Sequence, residues 1–195
     1  MRKKAPRRKP PFGREAWLAA ARDALIRDGI AGVEVGKLAR RLEITRGGFY
    51  WFFESREELL RHLLADWEQN NTGAMKAVLR DAGHNGLEEF RALVDVWVNE
   101  DGYSPKWDAA VRDWARVSSA VARVVQRVDE ERIDILKQIF LDMGCDDTSA
   151  LVHARITYFH QVGYYTLGLK ESRAQRLRLL PYYIAFLTGT ALPEP

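Results

Sequence analysis

The chain has 195 residues, 47% apolar and 29% charged, enough for a packed core and unlike a disordered or membrane-embedded protein. Its one cysteine, Cys145, cannot close an internal disulfide, and neither a signal-peptide pattern nor a run of ~18 uncharged apolar residues is present, so a cytoplasmic address is expected. The net charge of +3 conceals +7 over residues 1–62 and −4 over residues 63–195, which points one end of the chain at a polyanion.

Residues 1–12 hold six basic residues and three prolines and cannot bury a core, so they are expected to form a disordered basic arm. Over 14–28, Trp17, Ala21, Ala24 and Leu25 share a helical face, and Gly29 stops the helix. A short helix over 36–42 turns Leu38, Ala39 and Leu42 inward. Thr45 offers its hydroxyl as the cap of a third helix reaching about Phe52. Ser55-Arg56-Glu57-Glu58 is a capping box that opens a fourth helix, through Leu59, Leu60, Leu63, Leu64 and Trp67 to about Leu79. Helical spacing continues over 87–98, from Ser104-Pro105 onward, from Ser118-Ser119 to Met143, from Asp146 or Asp147 to about 169, and over 172–187. Pro181 should kink the last helix or restart it. No stretch alternates like a strand. The expected fold is all-α, with about nine helices.

Residues 34–53 have the layout of a helix-turn-helix, two short helices joined by a tight turn around Leu38, Ala39, Ile44, Phe49 and Phe52 or Phe53. Ala39 lies where the helices cross, and a bulkier side chain would push them apart. Such a motif places its second helix in the major groove of DNA. The residues expected outward are Thr45, Arg46, Gly47, Gly48, Tyr50 and Trp51. Arg46 can fork onto guanine or phosphate, and Thr45, Tyr50 and Trp51 can bond phosphate. Arg56, in the first turn of the fourth helix, combines a cation with exposed N–H groups and is expected on a phosphate.

Residues 14–67 resemble the DNA-binding domain of the TetR (tetracycline repressor) family. The resemblance rests on residues 20–25, Gly29, Val35, Leu38-Ala39, Ile44-Thr45-Arg46-Gly47, Phe49-Tyr50, Phe52-Phe53, Ser55 and Arg56-Glu57-Glu58-Leu59-Leu60. The family often has Thr or Ser near the start of the second helix; here stand Val33, Glu34 and Val35, and Glu34 would repel a phosphate it faced. The turn position often held by Gly is Glu43.

The resemblance implies a homodimeric transcriptional repressor that a small effector releases from a palindromic DNA operator. The implied division is a DNA-binding domain over 13–70 and an effector-binding and dimerisation domain over 71–195. Two helix-packing stripes are candidate dimer contacts: Val152, Ile156, Phe159 and Gly163, and Leu177, Leu180, Ile184 and Leu187. Trp97, Tyr103, Trp107, Trp114, Tyr158, His160 and Tyr164, with Tyr165, could line a pocket for an aromatic or otherwise apolar effector. No catalytic constellation, phosphate-binding glycine loop or metal-ligand spacing is present, so neither an enzyme nor a cofactor is expected. The competing reading is a helical protein-interaction module that no longer reads DNA.

Overall fold

A computed structural model describes residues 13–81, 85–168 and 170–191. The basic arm, residues 1–12, lies outside the described residues. These form nine α-helices, a short 3-10 turn at Ile30–Gly32, and no strand. The helices are α1 (Arg14–Asp28), α2 (Val35–Arg41), α3 (Arg46–Phe49), α4 (Arg56–Asp81), α5 (Gly86–Asn99), α6 (Pro105–Ala115), α7 (Ser119–Asp142), α8 (Asp147–Thr166) and α9 (Arg173–Thr188). The all-α expectation holds, as does the helix count.

Local chemistry explains most helix boundaries. Gly29, at φ 67°, donates its N–H to the Leu25 carbonyl and closes α1. The Glu58 N–H bonds the Ser55 hydroxyl at 3.2 Å, while the Glu58 carboxylate reaches back to the Glu54 N–H at 2.5 Å. The capping box is therefore present, with its return bond one residue upstream of the usual partner. Asp146 accepts from the Thr148 and Ser149 N–H groups ahead of α8, and Ser172 caps α9 through the Gln175 N–H. The Ser149 hydroxyl, with these N–H donors, holds the Asp146 carboxyl below its ordinary range. Pro181 neither restarts nor ends α9, which runs as one helix from Arg173 to Thr188.

The chain divides into two packing units. The first comprises residues 13–68 with 106–122, and the second residues 69–105 with 123–191. The unit holding the helix-turn-helix thus also contains nearly all of α6, which lies within the 71–195 span of the sequence-level division. In that unit Trp17, Phe49 and Phe53 form the centre. The Trp17 and Phe49 rings meet edge-on at 5.2 Å, and Phe49 stacks on Phe53 at 5.3 Å. Trp107, Val111 and Trp114 of α6 are buried, and the Arg22 guanidinium lies 5.1 Å over the Trp107 ring. The second unit has its own core, centred on Phe90, Leu93, Leu136, Ile139 and Phe140. Among the described residues no helix is long and apolar enough to cross a membrane.

Candidate nucleic-acid interface and effector cavity

The turn between α2 and α3 is held by backbone bonds, Glu43 N–H to Arg40 carbonyl at 3.1 Å and Ile44 N–H to Ala39 carbonyl at 3.0 Å. Leu38 and Ala39 are buried beneath it. Glu43 adopts φ 55°, a left-handed conformation that an L side chain other than Asn or Asp resists. Glu43→Gly should therefore raise stability by about 0.5–1 kcal/mol, roughly 1–4 °C in melting temperature. A melting temperature unchanged or lowered in Glu43→Gly would show that the turn is not strained.

The single turn of α3 buries Gly48 and Phe49 and exposes Thr45, Arg46 and Gly47. Tyr50 and Trp51 follow it, 60% and 47% exposed. Three expectations need correction. The helix ends at Phe49 and continues to Phe52 only as turn, so Gly48 faces inward with Phe49. The Thr45 hydroxyl makes no cap bond, because only the Thr45 carbonyl is used, accepting from the Gly48 N–H at 2.9 Å. Arg56 does not reach outward either. Its Nε donates to the Val33 carbonyl at 2.5 Å and its terminal nitrogen to the Ile30 carbonyl at 2.9 Å, pinning the segment that leads into α2. Two carbonyls in an irregular segment need donors, and the first turn of α4 supplies a charged one. Arg56→Met should cost about 2 kcal/mol of stability while leaving the salt dependence of DNA binding unchanged. A shallower salt slope with unchanged stability would return Arg56 to the DNA.

The charges around α3 are sorted by pairing. Arg41 meets Asp23 at 3.3 Å. Glu34, at the start of α2, makes no cap bond and pairs with Lys37 at 2.8 Å, which holds its carboxyl below the ordinary range. The repulsion that Glu34 would offer a phosphate is thereby reduced. Arg46 is exposed and lies across the start of α2, where a methyl group on Gly36 would come within 2.5 Å of its guanidinium. Gly36 thus supplies the space Arg46 occupies. This packing was not foreseen from the sequence, since Gly36 carries no periodic signal.

The second unit contains a mostly apolar cavity of about 60 Å³ between α5, α8 and α9. Of the aromatic residues expected to line a pocket, Trp97, His160, Tyr164 and Tyr165 do so. Tyr103 and Tyr158 belong to the buried core of the same unit, while Trp107 and Trp114 are buried in the other unit. Burial lowers the tendency of His160 to protonate. The sequence reading missed Arg176, Thr157 and Gln161, polar residues that line the cavity from helices dominated by apolar spacing.

The candidate dimer residues divide as well. Val152, Ile156 and Phe159 are exposed on α8, and Gly163 is half-buried beyond them. On α9 Leu177 is exposed, but Leu180, Ile184 and Leu187 face the cavity of their own chain. The exposed aromatic residues of α9 are Tyr182 and Phe186. Helix period alone could not tell which side of α9 faces outward, because both sides are apolar. Among the described residues no group of three potential metal ligands is gathered.

Residues 18–63, which contain α2, the turn and α3, match the sequence family described as bacterial regulatory proteins, tetR family. No curated protein sequence matches the chain. The fold is similar to that of a TetR transcriptional regulator from Legionella pneumophila, with a TM-score of 0.68 and 16% identity over 93% of this chain and 98% of that one. It is also similar to the ketosteroid transcriptional regulator KstR2 of Mycobacterium tuberculosis, with a TM-score of 0.60 and 18% identity over 96% of this chain and 100% of that one. At these identities the likeness is one of fold, and the helix-turn-helix match carries the assignment. The helix-turn-helix segment matches that of the tetR family of bacterial regulatory proteins, and the chain as a whole has the fold seen in TetR-type transcriptional regulators.

Proposed function

We propose that the protein is a cytoplasmic homodimeric repressor that holds a palindromic operator until a small apolar effector enters the second unit. The observation that carries this reading is the two-sidedness of α3 and the turn after it. Phe49 and Phe53 are locked into the core, while Thr45, Arg46, Gly47, Tyr50 and Trp51 are exposed. Two such helices, set about one helical turn of DNA apart by a two-fold axis, read the two halves of a palindrome. The apolar face of Val152, Ile156, Phe159, Tyr182 and Phe186 is the contact proposed for that axis.

Selection of bound duplexes from a random DNA pool tests the reading. A palindromic consensus is the expected result, and a protein indifferent to every duplex at low salt would favour the protein-interaction module instead. On the selected operator, Arg46→Ala should lose about 1–3 kcal/mol of binding and relax base preference at one position per half-site. Full retention of affinity and preference would exclude Arg46 from base readout.

A further inference from the structure

The cavity between α5, α8 and α9 carries more chemical information than its apolar lining. Arg176 stands at one end, near the start of α9. Its Nε donates to the Tyr164 hydroxyl at 3.0 Å, and its two terminal nitrogens to the Tyr165 hydroxyl at 3.3 Å and the Val98 carbonyl at 3.5 Å. The guanidinium also lies 4.8 and 5.5 Å from the centres of the Tyr164 and Tyr165 rings. All these partners are neutral. Among the described residues no carboxylate pairs with Arg176 directly, and Glu171 reaches it only through the Tyr164 hydroxyl, which donates to Glu171 at 2.7 Å. A half-buried guanidinium held by neutral oxygens keeps a net positive charge to offer.

Arg176 also lines a second, wider cavity on the same unit, together with Asn99, Glu100, Gly168, Glu171 and Arg173. It therefore stands where an apolar slot meets a polar mouth. Further along α8, the buried Thr157 hydroxyl lines the cavity without a hydrogen-bond partner, and Gln161, beside the Tyr165 phenol, lies between the two. Buried polar groups are rarely left without partners, so the Thr157 hydroxyl is available to a polar atom of a ligand. Thr157, Gln161 and Tyr165 fall on one face at successive turns. At 1.5 Å per residue, Thr157 and Tyr165 stand about 12 Å apart along the helix. α9 runs the opposite way, because His153 contacts the Leu187 carbonyl at 2.9 Å while Arg176 meets Tyr164 and Tyr165.

We propose that this cavity binds a slender, medium-chain carboxylic acid, its carboxylate on Arg176 and a second, neutral oxygen about two helical turns away at Thr157. The assignment rests on the reading of this cavity as the effector site and adds the ligand's chemical class. A small cavity of about 60 Å³, lined mostly by apolar side chains of three helices, suits an unbranched chain better than a fused ring system. One planar guanidinium suits the two oxygens of a carboxylate. The apolar body would run past Trp97, Tyr183 and Ile184.

Three ten-carbon probes test this by titration calorimetry on the full-length protein: decanoate, 10-hydroxydecanoate and decan-1-ol. Decanoate should bind at least tenfold more tightly than decan-1-ol, and 10-hydroxydecanoate more tightly still. Arg176→Met should remove the advantage of the acids over decan-1-ol, and Arg176→Lys should keep part of it. Thr157→Val should erase the preference for the hydroxylated acid alone. If Arg176→Met fails to fold, the lysine and valine variants carry the same comparison. Equal binding of acid and alcohol to the unaltered protein would overturn the carboxylate assignment and leave the effector site standing. Acid binding indifferent to both Arg176 variants would overturn it in the same way. Failure of all three probes to bind would overturn the ligand class and count against the cavity as the effector site.

Discussion

Arg132→Met should remove about 3–5 kcal/mol of folding stability, the range for stripping one member from a buried charged network. Arg132 is 1% exposed, inside the second unit. Its nitrogens donate to the Thr72 hydroxyl at 3.1 Å, the Asn71 carbonyl at 3.2 Å and the Tyr158 hydroxyl at 3.4 Å. Tyr158 in turn donates to Asp129 at 2.6 Å, and the Asn71 side chain accepts from the Ser104 N–H at 2.7 Å. One guanidinium thus joins α4, α7 and α8. Methionine keeps most of the apolar stem, so the measured loss isolates the hydrogen bonds and the charge. Against a typical total of 5–15 kcal/mol this is a large share, and melting should fall by about 6–20 °C. Denaturant unfolding gives the number directly. A loss under about 1 kcal/mol would mean that the network adds little beyond the packing of its stem.

The second large effect concerns assembly. Phe159 and Phe186 are 61% and 76% exposed, and with Val152, Ile156 and Tyr182 they make a run of large apolar side chains on α8 and α9. Monomeric proteins scatter such residues singly, whereas gathered ones mark a contact surface. Under the proposed two-fold axis each residue occurs twice, so Phe159→Glu acts twice. At about 2 kcal/mol per copy, the two losses weaken the dimer roughly a thousandfold. Light scattering at micromolar protein should then report a monomer, and operator affinity should fall with it, because one half-site alone remains to each chain. A Phe159→Glu protein that stays dimeric at that concentration would move the axis off this face.

How far the sequence could be read differs from element to element, for physical reasons. Gly29, Ser55 with Glu58, Asp146 and Ser172 act on backbone groups within a few residues, so helix starts and stops were visible in the chain. Phe49 and Phe53 were readable as core because their spacing repeats the helix period. The same period left Gly48 misplaced, since α3 is a single turn and its continuation is not helical.

Long-range partners were not readable. Arg56 looked like a phosphate ligand until the carbonyls of Ile30 and Val33, 26 and 23 residues away, claimed it. Arg132 sits in a helix whose neighbours Glu130, Glu131 and Asp134 suggest a solvated face, yet its partners are about 60 residues away in α4. α9 is apolar on more than one side, so only packing decided that Leu180, Ile184 and Leu187 line a cavity while Tyr182 and Phe186 stay outside.

From its residue order alone this protein was bound to be helical, with a DNA-reading motif near its start, because periodicity and caps are local properties of a chain. Which arginines remain available for a ligand, and which face of α9 meets another molecule, waited on tertiary structure. A side chain's charge is common property until folding brings specific carbonyls, hydroxyls and carboxylates within about 3 Å of it.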